Sequence, residues 1–257
     1  MNMLRTPRRD CLSGQRDGSW TRSMISALSG KRILITGGSG FIGPSILAAL
    51  QDVECHVSRL SRTTTPQVDQ LTGKATIKDL TGDVRDASVW AQVLEGVDIV
   101  IHLAGQTSAT VAEQDPGTDW QANVAPMLHL LECCRQRRAK PLILFSGTVT
   151  QAGIAGTMPV DEARPDHPIT IYDIHKLIAE QYLKYYCEQG IVRGAVLRLA
   201  NVYGPGPLSS APDRGILNMM VRKALAGETL TVYGSGRHLR DYVYVDDVAR
   251  AFLAAAT

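Results

Sequence analysis

The run Lys31-Arg32-Ile33-Leu34-Ile35-Thr36 passes straight into Gly37-Gly38-Ser39-Gly40-Phe41-Ile42-Gly43. An apolar stretch that breaks into a glycine turn and resumes with helical spacing reads as strand, turn and helix. Glycines at 37, 40 and 43 remove side chains where backbone must approach a phosphate and where helix packs on strand. The helix N-terminus then faces the anion. On this reading Gly37, Gly40, Phe41 and Ile42 line a dinucleotide pyrophosphate site; taken alone, the triplet also fits a tight turn that binds nothing.

From Gly30 onward the same unit recurs. Strand-like runs at 33–36, 55–60, 76–80, 99–103, 142–145 and 195–199 alternate with helical patterns at 41–50, 86–95, 118–137 and 171–189. That alternation predicts an α/β fold, a doubly wound parallel sheet over 29–200 whose right-handed crossovers gather ligands at the carboxyl ends of the strands. After Asn201 the pattern loosens. A substrate lobe is expected over 201–257, with a helix near 214–226, a short strand pair formed by 229–233 and 241–245, and a final helix from Asp247.

Composition narrows the class. With 257 residues, 44% hydrophobic and 20% charged, the chain can bury one sizeable core with a small appended lobe. A formal net charge of +2 leaves no electrostatic footprint for nucleic acid. No apolar run approaches the roughly eighteen residues of a membrane-spanning helix. Five cysteines, an odd number without metal-ligand spacing, predict free thiols, a cytoplasmic protein and no metal site. Residues 1–28, rich in Arg, Ser, Gly and Pro, are expected to be a disordered extension. Asp10, Asp17 and the lack of an amphipathic stripe speak against a targeting peptide there.

Cofactor choice is read where the second strand ends. Val57-Ser58-Arg59-Leu60-Ser61-Arg62 carries no carboxylate for an adenosine ribose, so Ser61 and Arg62 favour NADP(H) over NAD; the competing reading makes Arg62 a solvated loop residue. Asp83, beside Val84, is placed to accept from the adenine amine, and Asp86 to cap a helix. Leu103, Ala104 and Gly105 end the fourth strand with little bulk near the cofactor, and His102 is expected to be a packed strand residue.

Tyr172 and Lys176 stand four apart, on one face of a helix. A phenol ordinarily titrates near pH ~10, and a neighbouring ammonium favours the phenolate. Lys176 can thus activate Tyr172 and also hold a nicotinamide ribose. Thr148, at the end of the fifth strand, brings a hydroxyl to the same crevice.

These motifs, with Asn123-Val124 ahead of a Leu-rich helix, Arg198, Asn201-Val202-Tyr203-Gly204-Pro205 and Arg240-Asp241-Tyr242-Val243-Tyr244-Val245-Asp246-Asp247, make the chain from Lys31 onward resemble the extended short-chain dehydrogenase/reductases. Within them it is similar to the NAD(P)-dependent epimerase/dehydratase family that modifies nucleotide sugars. The resemblance implies Thr148, Tyr172 and Lys176 as catalytic residues, Asn123 at the cofactor, and Asn201 and Arg240 at the diphosphate of the sugar nucleotide. It also implies a homodimer through the helices at 118–137 and 171–189.

Three departures stand out. Family 4,6-dehydratases place an Asp-Glu pair directly after the catalytic Thr; Val149-Thr150 stands here, which favours a nucleotide-sugar epimerase or 4-ketoreductase over elimination. His175 replaces a small hydroxyl residue. The chain also stops within a helix at Thr257 where the family continues, so either it is a fragment or the lobe is reduced. The rival is a dinucleotide-binding sensor without turnover, against which retention of Tyr172, Lys176 and Thr148 weighs.

Overall fold

Sixteen strands and helices follow one another in the computed structural model, which describes residues 26–63, 73–156, 158–206, 215–232, 234–237 and 239–257. They are β1 (Arg32–Thr36), α1 (Gly43–Leu50), β2 (His56–Ser61), β3 (Thr76–Thr81), α2 (Ala87–Val93), β4 (Ile99–His102), α3 (Ala109–Gln114), α4 (Pro116–Asn123), α5 (Ala125–Arg137), β5 (Leu142–Thr148), α6 (Ile171–Glu188), β6 (Arg193–Leu199), β7 (Asn201–Tyr203), α7 (Ile216–Leu225), β8 (Tyr242–Tyr244) and α8 (Val245–Ala255). A 3-10 turn, Val149–Ala152, follows β5.

Strands β1 to β6 form one parallel sheet in the order β3-β2-β1-β4-β5-β6, the doubly wound arrangement expected. Its direction of winding reverses between β1 and β4, where Thr36 pairs with His102. Because all six strands run the same way, their carboxyl ends share one edge. Alternation sends Ile33 and Ile35 of β1 against Leu47 and Leu50 of α1 and Phe252 and Leu253 of α8. Leu34, Val100, Ile143 and Phe145 point to the other face, toward Trp90, Leu130, Leu131 and Leu183. Leu28, only 1% exposed, already belongs to the first cluster, whereas disorder was expected as far as 28; the rest of that expectation, residues 1–25, lies outside the described residues.

Two expectations need correction. The single helix predicted over 118–137 is two, α4 and α5, parted at Val124, because Pro126 has no N–H to continue the ladder. The predicted partner of the strand near 241–245 was 229–233. Among the described residues the strand pairing with β8 is instead β7, in parallel, with Asn201 opposite Tyr242 and Tyr203 opposite Tyr244. Alternating apolar residues mark a strand without naming its partner.

Candidate active site

The glycine turn sits at the point where the winding reverses. Gly37 has φ +68°, and a Cβ there would lie 2.8 Å from the Ala104 nitrogen, so only glycine lets the β1–α1 turn pass this close to the end of β4. The Gly40 N–H closes the turn onto the Gly37 carbonyl at 2.9 Å, and the Gly37 N–H bonds the end of β2 through the Leu60 carbonyl at 3.0 Å. Helix α1 then starts at Gly43 with Ile42 as its N-cap, no side chain bonding its first amides, and Pro44 in its first turn. Open amides at a helix start beside backbone stripped of Cβ atoms fit a pyrophosphate. Phe41 packs on Gly206, tying this turn to the chain beyond β7.

Around the same edge lie the other expected cofactor residues. Leu103 N–H donates to the Thr36 carbonyl (3.1 Å), and Ala104 N–H to the Thr36 hydroxyl (3.3 Å). Gly105 leaves room for Asn123, whose Oδ1 would lie 2.6 Å from a Cβ there. Ser61 donates to the Thr63 carbonyl at 2.8 Å, and Arg62 is exposed. Asp83 is occupied by Arg85, whose guanidinium donates to both its oxygens and, with Arg62 adding charge, holds that carboxyl below the usual range. Val84 gives its carbonyl to the Trp90 indole N–H at 2.9 Å. Asp86 caps α2 by accepting from Ser88 N–H, as expected.

His102 is the packed residue anticipated. It is 1% exposed, stacks on Phe145, and its Nδ1 lies 2.7 Å from the Thr36 hydroxyl. Burial, helped by the charge of Lys176, pushes its imidazole down to about 3, so it stays neutral.

The start of α6 meets the end of β5 through two ties. Lys176, 4% exposed, lies over the Phe145 ring with Nζ 4.4 Å from its centroid. Burial lowers its ammonium to about 8, against the opposing pull of the Asp119 carboxylate. Thr150 links Thr148 to Asp173: its hydroxyl lies 2.8 Å from that of Thr148 and donates to the Asp173 carboxylate. Tyr172, half-buried, immediately precedes Asp173, whose side chain is tied to Thr148 through Thr150, and stands four residues before Lys176.

Three features were not legible. Asp119, fully buried, accepts from Gln106 Nε2 (2.7 Å) and Asn123 Nδ2 (3.0 Å) and lies 2.7 Å from His175 Nδ1. This gives the unusual His175 a partner, and it commits the amide nitrogen of Asn123 to the protein. Arg59, 2% exposed, forms a two-pronged pair with Asp79 at 2.5 and 2.8 Å and packs its stem against Gly38. Arg198 bridges Asp166 (2.8 Å) and Glu180 (2.5 Å), fastening the loop after β5 to α6. A buried charge inside a strand pattern was the only available signal for Arg59.

Asn201 and Arg240 are brought together by the β7–β8 pair: Asn201 N–H and Nδ2 both donate to the Asp241 carbonyl, at 3.1 and 2.9 Å. Arg240 is exposed. Among the described residues no cluster of three or more His, Cys, Asp or Glu is arranged to hold a metal, and no helix is long and apolar enough to cross a membrane.

A sheet of this order with a glycine turn at its reversal is a Rossmann fold. Residues 33–257 match the NAD dependent epimerase/dehydratase family, and the chain belongs to that family. It is 31% identical over 224 residues to a putative UDP-glucose 4-epimerase of Methanocaldococcus jannaschii, covering 87% of this chain and 72% of that one. The crystal structure of a UDP-glucose 4-epimerase from Thermotoga maritima with UDP-glucose superposes with a TM-score of 0.76 at 31% identity, over 86% of this chain and 71% of that one. MoeE5 in complex with UDP-glucuronic acid and NAD gives 0.77 at 26% identity, over 88% and 72%. Other curated relatives are longer still, the chain spanning 55% of a UDP-glucuronate 4-epimerase of Arabidopsis thaliana.

Proposed function

We propose that this chain carries the catalytic machinery of an NAD(P)-dependent nucleotide-sugar 4-epimerase, with UDP-linked hexoses as the substrate class. The observation that supports it most is the joining of Thr148 at the end of β5 to the first turn of α6, where Tyr172 and Lys176 share a face, beside the Gly37–Ala104 approach. When bound, a nicotinamide dinucleotide supplies the hydride acceptor and donor for the sugar carbon. The open amides of α1 and the glycine turn would hold its pyrophosphate, and Lys176 its ribose.

Tyr172 acts as the acid/base. Its oxygen takes the proton of the sugar hydroxyl during oxidation and returns it during reduction, with the Lys176 ammonium stabilising the phenolate. Thr148 orients the reacting oxygen. Asn201 and Arg240 face the diphosphate, Arg240 suited to it by its planar fork of donors, and residues 201–257 serve as the substrate lobe beside the nucleotide-binding unit of 29–200. A 4,6-dehydratase is disfavoured because Val149 and Thr150 supply no carboxylate at the two positions after Thr148. A homodimer through the α4–α5 and α6 face and a cytoplasmic setting complete the reading.

A second reading, 4-ketoreductase, is favoured by Ser61 and Arg62, which present no carboxylate to repel a 2′-phosphate, although the neighbour MoeE5 holds NAD. Incubation with UDP-glucose or UDP-glucuronate and trace NAD or NADP, and in parallel with a UDP-4-keto sugar and NADPH, separates the two. Inversion at the sugar carbon without net change in nicotinamide supports the epimerase. Stoichiometric loss of NADPH on a keto sugar supports the reductase. Absence of both, with either cofactor, refutes the proposal.

A further inference from the structure

The hydroxyls of Thr148 and Thr150 and the carboxylate of Asp173 form a chain whose proton directions are fixed by counting. Asp173 is 3% exposed and lies in the first turn of α6, its own N–H donating to the Thr170 hydroxyl at 3.1 Å. A carboxylate accepts and does not donate. The Thr150 hydroxyl must therefore give its one proton to Asp173. Between the two threonines, 2.8 Å apart, the proton is then that of Thr148. One lone pair of Thr148 is taken by the Thr150 N–H at 3.3 Å, and one is left at the carboxyl edge of the sheet.

We infer that Asp173 is a positioning residue which, through Thr150, turns Thr148 into a hydrogen-bond acceptor toward the substrate. A sugar hydroxyl can donate to such an oxygen; a sugar ketone cannot. The alcohol form can give its one proton to either Thr148 or Tyr172, whereas the keto form, with none to give, must rely on the Tyr172 proton alone. The ketone is thus left with one tether about which to turn. This inference rests on the sugar hydroxyl assigned to Thr148 above.

Neutron diffraction of the deuterated protein reads the polarity directly: the Thr148 deuteron on the line to Thr150 Oγ1 is the expected result, and the Thr150 deuteron pointing to Thr148 overturns the inference. Kinetics then test its effect. Asp173→Leu removes the acceptor, so the Thr150 proton can turn to Thr148 and free the Thr148 proton for the crevice. Thr150→Val frees it by deletion, and Thr150→Ser keeps the wild-type polarity. A single hydrogen bond of this kind is worth roughly three- to tenfold in affinity. In Asp173→Leu and Thr150→Val, KM for the UDP-4-keto sugar should fall by about that factor while KM for the UDP-hexose, whose hydroxyl accepts as readily as it donates, stays near the wild-type value, with Thr150→Ser restoring the wild-type ratio. Equal changes in both directions, or none, would overturn it. A neutron map with the expected polarity alongside a wild-type protein that turns over neither sugar sinks the proposed function while leaving the proton order intact.

Discussion

Replacing Lys176 with Met should stabilise the protein while abolishing turnover, and the gain should vanish at high pH. Burial at 4% exposure over the Phe145 ring lowers the ammonium from 10.5 to about 8. Each pH unit of such a fall corresponds to about 1.4 kcal/mol, so the protonated side chain disfavours the fold by roughly 3 kcal/mol. Methionine has similar reach, no charge, and a sulfur suited to the same ring. Asp119 loses a nearby cation but keeps Gln106, Asn123 and His175, leaving a net gain of roughly 1–3 kcal/mol. In a chain of this size that is a rise in Tm of about 3–10 °C. Below pH 8 the lysine is protonated in folded and unfolded chains alike, and the wild type bears the full penalty. Between 8 and 10.5 the unfolded chain holds a proton the folded one lacks, so wild-type stability climbs with pH; above 10.5 the penalty is gone. Urea unfolding followed by circular dichroism at pH 7, 8, 9 and 10 should show a gap between variant and wild type that narrows steadily. A gap constant with pH, or a variant less stable at pH 7, would refute the reasoning.

Gly37→Ala forces a Cβ within 2.8 Å of the Ala104 nitrogen at positive φ, and should weaken dinucleotide binding at least tenfold by fluorescence titration while costing more than about 1 kcal/mol in stability. Asp79→Ala strands the buried Arg59 guanidinium; because Asp79 is 31% exposed and water can reach the pair, the loss should be about 1–3 kcal/mol in chemical denaturation, below that of a sealed ion pair.

Strand and helix positions were largely readable because a parallel sheet buries both faces. Runs such as Ile33–Thr36 and Ile99–His102 have no solvent side to dilute the apolar signal, and the sheet order follows from right-handed winding. The glycine turn and the Tyr172–Lys176 spacing were readable for a similar reason, each being a local constraint written within a few residues. What escaped depends on pairing across distance. Nothing local links Asn201 with Tyr242, Asp119 with His175 or Arg59 with Asp79, since a polar residue on a helix or strand does not announce what it meets. The depression of Lys176 likewise comes from packing that only the fold supplies.

The carboxylate of Asp119 gathers the turn after β4, helix α4 and helix α6 onto a single buried point. Elements pinned this way travel as one rigid wall. Helix α7, with no buried residue, has by contrast little contact to surrender, so a shift between the two falls to α7.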